Sequence, residues 1–222
     1  MINTEIDDNY FLDIILEQFE NSIGEYKAIK QYTRDDFGFQ KIYTIEQVQT
    51  AANEIVEYLS MDGYTPIINL CFLPDNVAGR TNLNDSYFIN IDLDKEQFEK
   101  HTYTPTQVLA ILVHEICHKF LWIHGFKEIS DNIEYMTDAC AIYVGFGKIL
   151  YDACERTTYN FENMHHVIRF RTLGYLTKEQ IAYLYSLAFQ TSIEEPNNIL
   201  IIVIITAIAF WGLGKLLTNI IL

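Results

Sequence analysis

Positive charge is scarce in this chain: 15 lysines and arginines stand against 30 aspartates and glutamates, a formal net charge of −15. Such an excess repels phosphate backbones and argues against nucleic acid as a partner. Cysteine is also sparse. The four present, Cys71, Cys117, Cys140 and Cys154, have neither paired nor zinc-finger spacing, and no signal peptide precedes them. They read as reduced, mostly buried thiols of a cytosolic protein rather than as a disulfide framework. Internal repeats and low-complexity linkers are missing too, which excludes solenoids and arrays. What remains is a chain of 222 residues, enough for one globular domain with a sizeable core and one appendage.

The most informative stretch is His114-Glu115-Ile116-Cys117-His118. Two histidines four apart share one helix face with a carboxylate beside them. A divalent metal, most often zinc, takes both imidazoles, and the glutamate is placed to act on a water at an open coordination position. The helix around the motif is well marked. Thr104-Pro105-Thr106-Gln107 supplies an N-cap threonine, a proline at the first helical position and a capping-box glutamine, and Gly125 supplies a stop. Between them the segment is apolar over most of its circumference, so the helix is expected in the centre of the fold. The plain alternative is a pair of core histidines satisfied by hydrogen bonds. Against it stands the cost of burying Glu115 beside two imidazoles without a cation.

A catalytic zinc usually takes three protein ligands. His124 lies at the distance of the longer H-E-x-x-H-x-x-G-x-x-H pattern, but Leu121 replaces its glycine. On a continuous helix His124 points roughly 80 to 120 degrees away from the other two. Glu134, opening the next helical segment, fits better, because a short linker after Gly125 lets that helix fold back on the first. Asp138 lies one turn on, placed to accept the second N–H of a ligand histidine. Farther along the stripe, Ala141 and Gly145 would permit close helix contact. The alternatives are a capping role for Glu134, begun by Asp131, and a solvated surface charge at Asp138.

His-Glu-x-x-His on one helix with Glu-x-x-x-Asp opening the next resembles the gluzincin zinc peptidases, especially their compact members, over about residues 66 to 150. The resemblance implies His114, His118 and Glu134 as zinc ligands, Glu115 as general base and Asp138 as a supporting residue. Cys117 departs from the small residue common at its position, and no transition-state stabiliser is placed.

Residues 66–73 and 86–93 read as strands, the second alternating Ile89, Ile91 and Leu93 with Asn90 and Asp92. Their edge either offers a place for an extended peptide to add as a strand or only packs. Thr44 to Gln47 begins a capped helix running to about residue 60, residues 11–19 form an amphipathic helix, and Thr177 to Gln180 caps a last one. His165, His166, Arg169 and Arg171 make the densest cationic cluster, either an oxyanion stabiliser or a surface turn. Residues 199–214 are uncharged and almost wholly apolar, and after Lys215 the run resumes to 222. That is close to a membrane span, with the polar stretch 194–198 as linker. The competing reading is a helix buried in the core or in a dimer.

The expectation is therefore an α+β, zincin-like domain over residues 1–195. It has a small mixed or antiparallel sheet on a central H-E-x-x-H helix and a mostly helical C-terminal part. Residues 199–222 form a hydrophobic helix that anchors the cytoplasmic domain to a membrane. The expected activity is zinc-dependent hydrolysis of a peptide or protein substrate, and the alternative is a non-proteolytic zincin-like metal-binding or protein-interaction domain.

Overall fold

Thr44, Thr104 and Thr177 each accept a hydrogen bond from the backbone N–H three residues on, where Gln47, Gln107 and Gln180 accept back from the threonine N–H. Each box satisfies orphan donors at a helix start, and together they begin three of the principal helices. The computed structural model describes residues 8–24, 31–37, 42–74, 77–126, 132–154, 157–162, 165–170 and 174–190, with 157–162 and 165–170 described as backbone. In chain order the elements are α1 (Asp8–Ile23), a 3-10 turn (Arg34–Phe37), α2 (Ile45–Tyr58), β1 (Thr65–Cys71), β2 (Gly79–Asn82), β3 (Phe88–Asp94) and α3 (Lys95–Glu99). They continue with α4 (Pro105–Ile123), α5 (Ile133–Ala141), a π-helical segment (Ile142–Phe146), α6 (Gly147–Ala153), β4 (Thr157–Glu162), β5 (His165–Phe170) and α7 (Lys178–Phe189).

The architecture is α+β and mostly helical, with a small three-stranded sheet in the order β1-β3-β2. The sheet is mixed: β1 runs parallel to β3, and β2 antiparallel to it. Ile89, Ile91 and Leu93 of β3 are buried, as their alternation requires. The motif helix α4 packs against α2, α5, α6 and the sheet. Thirteen of its nineteen residues are buried, so both histidines, themselves half-buried, are carried on a central, constrained element.

Two differences from the sequence reading have clear causes. The small-residue stripe of Ala141 and Gly145 does not continue one helix, because α5 ends at Ala141 and Gly145 takes φ 106° within the π-helical segment. A positive φ suits glycine, and the carbonyls freed there are taken up: Val144 O accepts from Tyr58 Oη at 3.0 Å and Gly145 O from Tyr32 N at 2.8 Å. The described part of the cationic stretch is strand and not turn, since β4 and β5 pair antiparallel. His165, His166 and Arg169 lie on β5, and Arg171 falls outside the described residues.

The expected membrane location is corrected. Among the described residues no helix is long and apolar enough to cross a membrane, and the anchor expected at residues 199–222 lies outside the described residues. The chain divides between Met1–Thr191 and Ser192–Leu222, and the elements above all belong to the first unit.

Candidate metal centre

α4 and α5 bring three ligand atoms to one point. His114 Nε2 and His118 Nε2 are 3.0 Å apart, and Glu134 Oε2 lies 3.0 Å from the first and 3.1 Å from the second. Among the described residues these three are the group able to hold a metal ion. Donors of a tetrahedral zinc site with bonds near 2.0–2.1 Å lie about 3.3 Å apart, so a few tenths of an ångström of opening fits this set to zinc.

The groups behind the ligands determine where the protons are. Asp138 is 1% exposed, and its Oδ2 accepts from the backbone N–H of Tyr175 at 2.6 Å and of Leu176 at 3.0 Å. Its Oδ1 lies 2.8 Å from His114 Nδ1, and an ionised carboxylate only accepts, so that nitrogen carries its proton. Thr137 Oγ1 donates to Ile133 O at 2.8 Å, so at 3.0 Å it accepts from His118 Nδ1–H. In their neutral forms both imidazoles thus turn an Nε2 lone pair toward the Glu134 oxygen. Three lone pairs at this separation repel one another unless a cation stands among them. Without a metal a proton serves: burial opposes charge on His114, yet its hydrogen bonds to Asp138 and Glu134 push its pKa up to about 10. Burial also raises Glu134, but the two imidazoles outweigh it and hold that carboxyl well below the usual range.

Glu115, 6% exposed, lies within electrostatic reach of both imidazoles and of Glu134. Among the described residues no group hydrogen-bonds its carboxylate, and burial pushes its pKa up against the pull of both imidazoles. Its neighbour is Gly79 of β2. A β-carbon at residue 79 would sit 2.6 Å from Ile111 Cγ2 and 2.9 Å from Glu115 Oε1, so the edge strand lies directly against the carboxylate and admits only glycine there without displacing it.

The spacing of the sequence pointed to His114, His118, Glu115, Glu134 and Asp138, and the fold gathers all five. His124 is not in the group: it is the C-cap of α4, its Nδ1–H donating to Phe120 O at 2.8 Å. Nor is Cys117, whose thiol is pushed up by burial and by its hydrogen bond with Cys140. All four cysteines are free, and three are buried. Sequence reasoning missed Thr137, Gly79, Lys119 and Tyr175. The Tyr175 ring is nearly parallel to that of His114 at 6.1 Å, and 6.0 Å from the Tyr135 ring. Its loop is held by Asp138, and a β-carbon on Gly174 would come within 2.5 Å of Asp138 Oδ2. Lys119, 2% exposed, donates to the carbonyls of Leu83 at 2.8 Å and Asp85 at 2.5 Å in the β2–β3 connection. A lysine directly after the second motif histidine was the one signal available for it.

Comparisons with protein-family models, with curated proteins and with solved structures find no match to this chain.

Proposed function

We propose that this chain is a zinc-dependent peptidase of the zincin type, with His114, His118 and Glu134 as metal ligands. The observation that carries the reading is the convergence of three lone pairs on one point beside a buried carboxylate, Glu115, that no described group hydrogen-bonds. When bound, zinc supplies a Lewis acid and a water acidic enough to react near neutral pH. Glu115 takes the proton of the attacking water and returns it to the leaving amine, for which burial has already raised its basicity. Asp138 and Thr137 hold the ligand imidazoles with Nε2 unprotonated. Tyr175 is the candidate donor to the oxygen that gains charge as the carbonyl is attacked. The edge of β2 that no described strand pairs, lying against Glu115 through Gly79, is the place where an extended substrate adds as a further strand.

The test is metal content by elemental mass spectrometry, followed by hydrolysis of unstructured peptides. Near-stoichiometric zinc in the wild type, lost in both His118→Ala and Glu134→Ala, supports the ligand set. Glu115→Gln should keep the metal and lower hydrolysis by at least about a hundredfold. A well-folded wild type that takes up no zinc would sink the proposal.

A further inference from the structure

We infer that Arg80 makes this chain select an acidic side chain next to the cleaved bond, a specificity that rests on the peptidase reading. Exposure alternates along β2, with Gly79 and Thr81 half-buried and Arg80 and Asn82 exposed. Gly79 lies against Glu115, so Arg80 is the first outward side chain beside the reacting centre. It stands in a cleft of about 650 Å³ whose walls include Asn69, Asn82, Asn90, Asp92 and Trp122. Asp92 has both oxygens engaged: Oδ1 accepts from Asn69 Nδ2 at 3.3 Å and Oδ2 from Arg80 Nη2 at 2.7 Å. The guanidinium carries five N–H donors in a planar fork, and its side chain is 63% exposed. Arg80 therefore brings spare, charged N–H donors to a cleft whose asparagine amides both donate and accept, and the complement of that guanidinium is a carboxylate.

Strand addition places that carboxylate. A peptide running along β2 puts the side chain paired with Arg80 on the same face, with β-carbons about 5 Å apart, and its next residue toward Glu115. The net charge of −15 repels acidic peptides at long range, but beyond about 8 Å that repulsion is screened at physiological salt. The contact with Arg80 acts within that distance.

The experiment digests a mixture of unstructured peptides, randomised in sequence, with the full zinc-loaded chain and reads the products by mass spectrometry. Wild type should enrich Asp and Glu about fivefold at one position within two residues of the cleaved bond, the scale of an exposed charge pair. Arg80→Glu should invert that preference toward Lys and Arg, and Asp92→Asn, which leaves Arg80 in place, should keep it. Zinc content confirms that each variant is folded. Cleavage without acidic enrichment, or enrichment unchanged in Arg80→Glu, overturns the role of Arg80. If zinc-loaded wild type cleaves nothing, the peptidase reading falls, and binding decides Arg80 separately. Fluorescein-labelled alanine-based peptides carrying one Glu or one Gln are titrated into Glu115→Gln by fluorescence polarisation. Tighter binding of the Glu peptide that is lost in the Glu115→Gln, Arg80→Gln double variant supports the acidic site; equal binding of the two peptides overturns it.

Discussion

Each ligand imidazole is oriented from behind, and that orientation can be tested without touching a ligand. Thr137 is fully buried and accepts from His118 Nδ1–H; Thr137→Val keeps the shape and removes the acceptor. Zinc affinity, measured by chelator competition, should fall about tenfold with the fold intact, and an unchanged affinity would deny Thr137 this role. The proton on His114 gives a second prediction. Its value of about 10 in the metal-free fold lies above the roughly 6.5 of an unfolded chain. The ion-paired His114 therefore stabilises the metal-free protein fully below that lower value, and the contribution is lost as pH rises through the upper one. Zinc needs the imidazole neutral, so the gap in melting temperature between zinc-loaded and EDTA-stripped protein should widen from about pH 6 to about pH 9. A gap constant with pH would mean that His114 is not where proton and metal exchange. At this scale the motif residues were legible because their spacing sets which helix face they share. Thr137, Gly79 and Tyr175 were not, because what makes them matter is contact across elements: a hydroxyl on a neighbouring helix, a strand against a carboxylate, a loop held by Asp138.

Helix starts are the elements read most closely from sequence. Their signal is local, a threonine and a glutamine three residues apart, and α2, α4 and α7 begin at Ile45, Pro105 and Lys178, right after those threonines. The β2 strand had no such signal. Gly79-Arg80-Thr81-Asn82 contains no apolar alternation, and it is a strand because β3 offers a ladder and because Lys119 holds the connection that follows it. The pairing of β4 and β5 was hidden because β5 carries His165, His166 and Arg169, a polar cluster that reads as a turn. Lys119 makes the dependence measurable. Lys119→Met removes a costly buried ammonium but leaves the Leu83 and Asp85 carbonyls without that donor, a loss of about 2 kcal/mol. Amide exchange across residues 82–88 should accelerate while zinc content stays unchanged. Exchange that is unaltered there would mean that β3 pairing alone fixes the edge strand.

For the described domain as a whole, the centre joins segments distant in sequence. Asp138 accepts at once from His114 on α4 and from the backbone of Tyr175 and Leu176 ahead of α7, so whatever fixes His114 also fixes the loop at 174–176. The same linkage explains why the sequence pointed to a candidate ligand set but not to the course of the chain around it: the motif suggests the donors, and only the fold says which loop Asp138 holds. The aromatic cluster of Tyr32, Tyr58 and Phe146, with ring centroids 4.3 to 5.3 Å apart, is held instead by ring packing and by the bonds of Tyr58 Oη to Val144 O and of Tyr32 N to Gly145 O. Removing metal should therefore loosen the molecule unevenly. At free zinc a thousandfold above its dissociation constant, binding adds about 4 kcal/mol to the folded state, which for a chain of this size is a shift in melting temperature on the order of 10 °C. EDTA should reverse that shift and raise amide exchange in residues 132–141 and 174–177, leaving α2 and the aromatic cluster protected. Uniform loosening across α2 and α5 would instead mean that the metal supports global stability without a specific path through Asp138, and no change in either would remove the ion from the architecture altogether.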